Sequence, residues 1–302
     1  MVVLLLACVS CGCSGPSDQK EVSTPQPVSQ AGPVIPHGPS HFIFNDLRGD
    51  VDRPITVYLY RPAAWNESGP IVMVMAGADR NGETIRDIWI PLAEHYSCLI
   101  VSPEFSNQYY PGDNMYIGGN MYDLHGNLNP ESNWTYSAIE HLFDAIKGMT
   151  GGRQTTYLLW GHSAGGQFVH RMVTFLPDAR YSRAVAANAG VYDLPVFSIP
   201  YYEMGLGNSP LPEQDLPVVF SRKLIIMSGE ADTNPNDSAL ANFPAAEAQG
   251  KTRFERALFY YKTAQAEALR LKVPLNWEYH TVPGVGHDGP GMAEASVTFM
   301  FG

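Results

Sequence analysis

Residues 161–166 read Gly-His-Ser-Ala-Gly-Gly and lie between an apolar, strand-like run at 155–160 and a helix-like segment at 164–176. No other stretch restricts the fold as tightly. A backbone that leaves a strand and enters a helix within so few residues must reverse sharply, and glycine on both sides of the serine lets it do so without side-chain clashes. The pattern by itself arises often by chance, so its place between strand and helix carries the argument. Such a turn leaves the Ser163 hydroxyl exposed at the carboxyl edge of a sheet. It also puts the Ala164 amide at a helix start, where free N–H groups and the helix dipole favour a developing oxyanion.

The rest of the chain supplies the sheet that such a turn needs. Strand-like segments fall at 55–60, 71–75, 98–101, 183–189, 223–227 and 275–282, and helical spacing marks 84–96, 132–147 and 252–271. Residues 71–75, Ile-Val-Met-Val-Met, form a continuous apolar run of the kind carried by strands buried on both faces. The alternation predicts an α/β fold, a mostly parallel, doubly wound sheet with helices on both faces. At 302 residues and 45% hydrophobic, the chain has enough apolar mass for one substantial core. Residues 107–130, rich in Gly, Asn and Tyr, and the Pro-rich stretch 191–221 show no period and are expected to be irregular.

A serine hydroxyl is a poor nucleophile until a base takes its proton, so an exposed Ser163 calls for a histidine on a loop that returns to the same sheet edge. Of nine histidines, His287 alone follows the last predicted strand on a Gly-rich loop, Val-Pro-Gly-Val-Gly-His at 282–287. His162 is expected to pack locally, and His280 lies within a strand. The imidazole must be held in one tautomer by a carboxylate, which in this chain order falls between Ser163 and His287. Asp232, just past a strand end in Met-Ser-Gly-Glu-Ala-Asp at 227–232, is the leading candidate, with Glu230, Asp237 and Asp193 as alternatives.

The elbow, the Gly-Glu-Ala-Asp after a strand and the Gly-Val-Gly-His near the end resemble the serine-dependent α/β-hydrolase superfamily from about residue 41 to 302. The Gly-His-Ser-Ala-Gly-Gly form is similar to feruloyl-esterase and polyhydroxybutyrate-depolymerase-like esterases. The resemblance implies an eight-stranded sheet, ester hydrolysis through an acyl-enzyme and no cofactor. Aryl or short hydroxyacyl esters, polyesters included, are the expected substrates, and no His, Asp and Glu cluster has the ligand spacing of a metal site. The family's His-Gly motif after the third strand is replaced here by Ala-Gly-Ala-Asp at 76–79, so the second oxyanion donor is assigned to the Ala78 amide. Acyl transfer to an alcohol would use the same residues. A non-catalytic hydrolase-fold module that binds a surface through its aromatic loop is the alternative from a different class.

Tyr109, Tyr110, Tyr116, Tyr122 and Trp134 follow the fourth strand of such a fold, close to where its pocket opens, and Tyr109, Tyr110, Tyr116 and Trp134 are expected to wall the substrate site. Ahead of the domain, Leu5-Leu6-Ala7-Cys8 closes an apolar stretch and resembles a bacterial lipobox. It predicts a lipoprotein-type signal peptide at 1–7, a lipidated Cys8, and a flexible Pro- and Ser-rich tether to residue 40. The h-region is short and lacks a leading basic residue, as a start further upstream would leave it. The protein is accordingly expected at the bacterial cell envelope or outer surface, touching membrane only through that anchor, or alternatively as a secreted or periplasmic protein. A net charge of −11 with only 16% charged residues leaves no basic face for nucleic acid, and no run reaches the roughly 20 apolar residues of a membrane-spanning helix.

Overall fold

The computed structural model describes residues 35–302. The predicted signal peptide, Cys8 and most of the predicted tether lie outside the described residues. The strands are β1 (Gly38–Phe44), β2 (Ile55–Arg61), β3 (Ile71–Met75), β4 (Leu99–Glu104), β5 (Tyr157–His162), β6 (Tyr181–Ala187), β7 (Leu224–Gly229) and β8 (Trp277–Val282). They form one eight-stranded sheet in the order β1-β2-β4-β3-β5-β6-β7-β8. β1 pairs antiparallel with β2 and β2 with β4, and every pairing from β4 to β8 is parallel. The expected α/β-hydrolase architecture is thus present. The catalytic domain starts earlier than residue 41, because Gly38, Pro39 and Ser40 pair with Arg61, Tyr60 and Leu59.

The helices are α1 (Gly82–Ile88), α2 (Ile90–Tyr96), α3 (Gly112–Met115), α4 (Thr135–Thr150), α5 (Ala164–Phe175), α6 (Leu216–Ser221), α7 (Pro244–Glu247), α8 (Arg253–Leu271) and α9 (Gly289–Phe301). Successive residues of a strand point to opposite faces, and the sheet accordingly divides its apolar side chains between two cores. Met73, Met75, Leu159, Ala186 and Ile226 face the core closed by α4, α5 and α8. Val72, Val74, Trp160, Val185 and Met227 face the one closed by α1, α2 and α9. Both layers are buried, which is why the central strands are uninterrupted apolar runs.

Several local readings change: β1 stands ahead of the expected strands, and the stretch 107–130 holds the one-turn helix α3. The helix expected over 84–96 is two helices meeting at Trp89, since Pro91 has no N–H to extend an earlier helix and so sits in the first turn of α2. The Pro-rich stretch 191–221 holds a short helix, α6, with Pro217 likewise in its first turn. The helix α9 was not anticipated because its segment, Gly-Pro-Gly-Met-Ala-Glu-Ala-Ser-Val-Thr-Phe-Met-Phe, opens on breakers and is apolar almost all round.

Candidate active site

The sharp turn after β5 has the geometry that its glycines permit. Ser163 sits at φ 59°, ψ −118°, a conformation side chains rarely adopt, between the last residue of β5 and the first of α5. A Cβ on Gly161 would run into the Gly165 carbonyl, and one on Gly165 into the Met75 carbonyl, so neither position accepts a side chain. The turn is tied down by the Ser163 N–H, which donates to the Ala187 carbonyl at 2.9 Å.

Two loops bring polar groups to the serine. After β8, the loop carries His287 back so that its Nε2 lies 3.0 Å from Ser163 Oγ. Its Nδ1 lies 2.8 Å from Asp232 Oδ2, on the loop after β7. Asp232 is almost wholly buried, and its other oxygen stands 3.4 Å from the Arg253 guanidinium. Arg253 opens α8 and also binds Asp237. Of the alternative carboxylates, Asp193 forms a buried two-pronged ion pair with Arg171, at 2.9 and 3.0 Å, and Glu230 accepts from the Thr281 hydroxyl at 2.8 Å. Neither bonds to His287. The set of Ser163, His287 and Asp232 can pass a proton from hydroxyl to imidazole while the carboxylate steadies the imidazolium.

Asn188, not singled out by the sequence reading, stitches the two loops together. Its side chain accepts from the Gly229 N–H at 2.8 Å and donates to the Gly286 carbonyl at 2.9 Å. A second tie runs from the Ala231 N–H to the Val285 carbonyl at 2.9 Å. Asn188 takes φ 46°, which asparagine tolerates better than most residues; the strand expected over 183–189 ends at Ala187, which frees Asn188 for this role. His162 packs its ring 4.6 Å from that of His287. Burial, reinforced by the neighbouring His287 charge, lowers the His162 pKa to about 3, so this second imidazole stays neutral.

Ser163 opens onto a cleft of about 460 Å³ whose walls include Ala78, Ala164, Asn114, Gln167, Tyr201 and Phe243. Ala164 begins α5, where the first N–H groups have no intrahelical partner. Ala78 belongs to the turn after β3, closed by the Arg80 N–H donating to the Gly77 carbonyl. The expected aromatic wall is corrected. Tyr110, Tyr116 and Trp134 are buried and structural: their polar atoms donate to the carbonyls of Arg53, Ala76 and Asn129 at 2.7, 2.7 and 3.0 Å. Tyr109 lines a separate cleft. Large rings in a long aperiodic loop bury themselves to hold the loop, and composition does not reveal which way they face. The rings beside Ser163 come instead from Tyr201, Tyr202 and Phe243, the first two on the Pro-rich stretch.

No family model and no curated protein matches the chain. Among solved structures, it is similar to a poly(aspartic acid) hydrolase from Sphingomonas sp. KT-1, with a TM-score of 0.85 and 36% identity over 89% of this chain and 100% of that one. A poly(3-hydroxybutyrate) depolymerase from Bordetella parapertussis follows at 0.81 and 35%, over 87% and 90%. An acetyl xylan esterase from Aspergillus awamori, at 0.54 and 13% over 87% and 99%, shares the fold alone.

Proposed function

Since the chain belongs to the serine α/β-hydrolase superfamily and is a hydrolase, we propose that it cleaves carboxylic esters, short hydroxyacyl and polyester substrates among them, through an acyl-enzyme on Ser163. The observation that supports this reading most is the unbroken hydrogen-bonded chain from Ser163 Oγ through His287 to Asp232. In this reading Ser163 Oγ attacks the ester carbonyl carbon as His287 Nε2 takes its proton, and Asp232 holds the Nδ1–H and stabilises the imidazolium. The oxyanion is met by the N–H groups of Ala164 and Ala78. Collapse breaks the bond to the alcohol, which leaves with the proton from His287. Water then gives its proton to His287 and attacks the acyl carbon, and the second collapse returns that proton to Ser163 and frees the acid.

Substrate choice draws on two relatives at 36% and 35% identity, one named for a polyamide and one for a polyester. The test is turnover of nitrophenyl esters of graded acyl length beside a feruloyl ester. Hydrolysis favouring short acyl groups agrees with the reading, and inactivity on every ester removes it.

A further inference from the structure

The loop that follows β4 builds a second cleft beside that of Ser163. Its volume is about 680 Å³, and its lining includes Arg53, Gln108, Tyr109, Tyr122 and Leu124. Asn114, on α3, lines both clefts. On the dividing wall, Tyr122 of one and Tyr201 of the other lie with ring centroids 5.7 Å apart. The two spaces are therefore neighbours along one groove.

The second cleft presents apolar surface to water on a fixed support. Tyr122 and Leu128 pair across a tight turn in which Asp123 Oδ1 accepts the N–H groups of His125 and Asn127, each at 2.8 Å. That turn holds Leu124 at 97% exposure, and Tyr109 is exposed on the same lining. A leucine held in water by a well-bonded turn keeps its apolar area available for a ligand. The Tyr109 hydroxyl and the Gln108 amide, both on this lining, make no hydrogen bond among the described residues, which leaves donors for carbonyl oxygens.

Charge narrows the occupant. In the Ser163 cleft both arginines are already engaged, Arg171 by Asp193 and Arg253 by Asp232 and Asp237. In the second, Arg53 is paired with Asp50 at 2.6 Å. Asp113 in the first and Asp123 in the second form no ion pair among the described residues. A polycarboxylate would meet like charge and no free cation, whereas an uncharged chain of ester units meets apolar surface and donors.

We propose that this cleft is a second binding site that holds the remote units of a neutral oligo(hydroxyacyl) ester while a bond nearer the chain end is cut at Ser163. The proposal rests on the ester reading above and adds where the rest of the chain lies. It predicts that kcat/KM rises with the length of 3-hydroxybutyrate oligomers, and that Tyr109→Ala combined with Leu124→Ala flattens the rise. The double variant should lose at least about tenfold on the longer oligomers, the lower end of what one buried apolar side chain is worth. Its turnover of nitrophenyl butyrate and its melting temperature should stay at the wild-type values. Oligo-aspartate should not inhibit.

Equal length dependence in wild type and variant would overturn the second site, as would a loss on nitrophenyl butyrate. Competitive inhibition by oligo-aspartate would overturn its neutral character. Wild-type inactivity on nitrophenyl butyrate would instead overturn the ester reading itself, so the two failures are distinct.

Discussion

At the scale of single residues the assignment of the acid can be separated from its neighbours. Asp232→Asn keeps the shape yet lets the His287 ring settle in the wrong tautomer, and a loss of about 10⁴ in kcat is expected by analogy with serine proteases. Glu230→Gln, which removes only the partner of Thr281, and Asp193→Asn, which leaves Arg171 buried without its counter-charge, should act on stability far more than on chemistry. If kcat falls most in either of those variants, the acid has been misassigned. His162 gives a pH effect of definite sign. Unfolded, it takes up a proton below about pH 6.5, whereas folded it stays neutral to about pH 3, so the unfolded state binds more protons between those values. Stability is therefore withdrawn on acidification through that window, by up to several kcal/mol. His170, whose pKa burial and then Arg171 also push down, adds to the same trend. Urea midpoints measured from neutral to mildly acid pH should fall less steeply for His162→Gln than for wild type; parallel slopes would count against a neutral buried His162. Asp232 and His287 could be read from their places after strands. Asn188 could not be chosen, because what it does depends on two loops remote in sequence that only the folded sheet brings together.

Among the elements, the short turns around β3 and β5 hold the site. Gly165 packs against the end of β3 so closely that Gly165→Ala forces the elbow and the Ala76–Ala78 turn apart. Overpacking of this kind costs about 1–3 kcal/mol, and the variant should lose both melting temperature and turnover; unchanged values of both would show that the elbow has slack. Tyr116 braces the same turn from the other side, donating to the Ala76 carbonyl beneath the Arg80 guanidinium, 4.2 Å from its ring. Tyr116→Phe leaves that carbonyl short of a donor at about 1–3 kcal/mol and is expected to lower kcat with little change in KM. A rise in KM alone would place Tyr116 in ground-state binding. The strands were legible because burial on both faces writes an apolar run into β3, β5 and β7. α9 was not, since its segment opens on Gly-Pro-Gly and carries apolar residues almost all round, so the stripe at Pro290, Glu294 and Thr298 that the folded helix leaves in solvent is barely marked by polar residues. The wall of the Ser163 cleft was hidden for a related reason: Tyr201, Tyr202 and Phe243 sit in aperiodic segments, where nothing in the spacing tells an inward ring from an outward one.

For the whole molecule, the α/β order legible in the chain predicted the sheet, and the sheet edge is what gathers residues 163, 232 and 287 into hydrogen-bond reach. The N-terminal stretch makes a separate proposal, from sequence alone: lipidation of Cys8 would tether the hydrolase to a membrane surface. Fatty-acid labelling should then mark the wild-type chain and not Cys8→Ser, with turnover equal in both, and an unlabelled wild type would remove the anchor. A covalent acyl intermediate on Ser163 is checked by intact-mass and peptide analysis after reaction with a nitrophenyl phosphonate, beside ester turnover by Ser163→Ala. One phosphonyl adduct is expected on the peptide bearing Ser163, none on Ser163→Ala, and a loss of turnover of about 10⁴ to 10⁶ at an unchanged melting temperature. An adduct on another residue, or Ser163→Ala retaining more than about a tenth of wild-type turnover, would contradict the intermediate on Ser163.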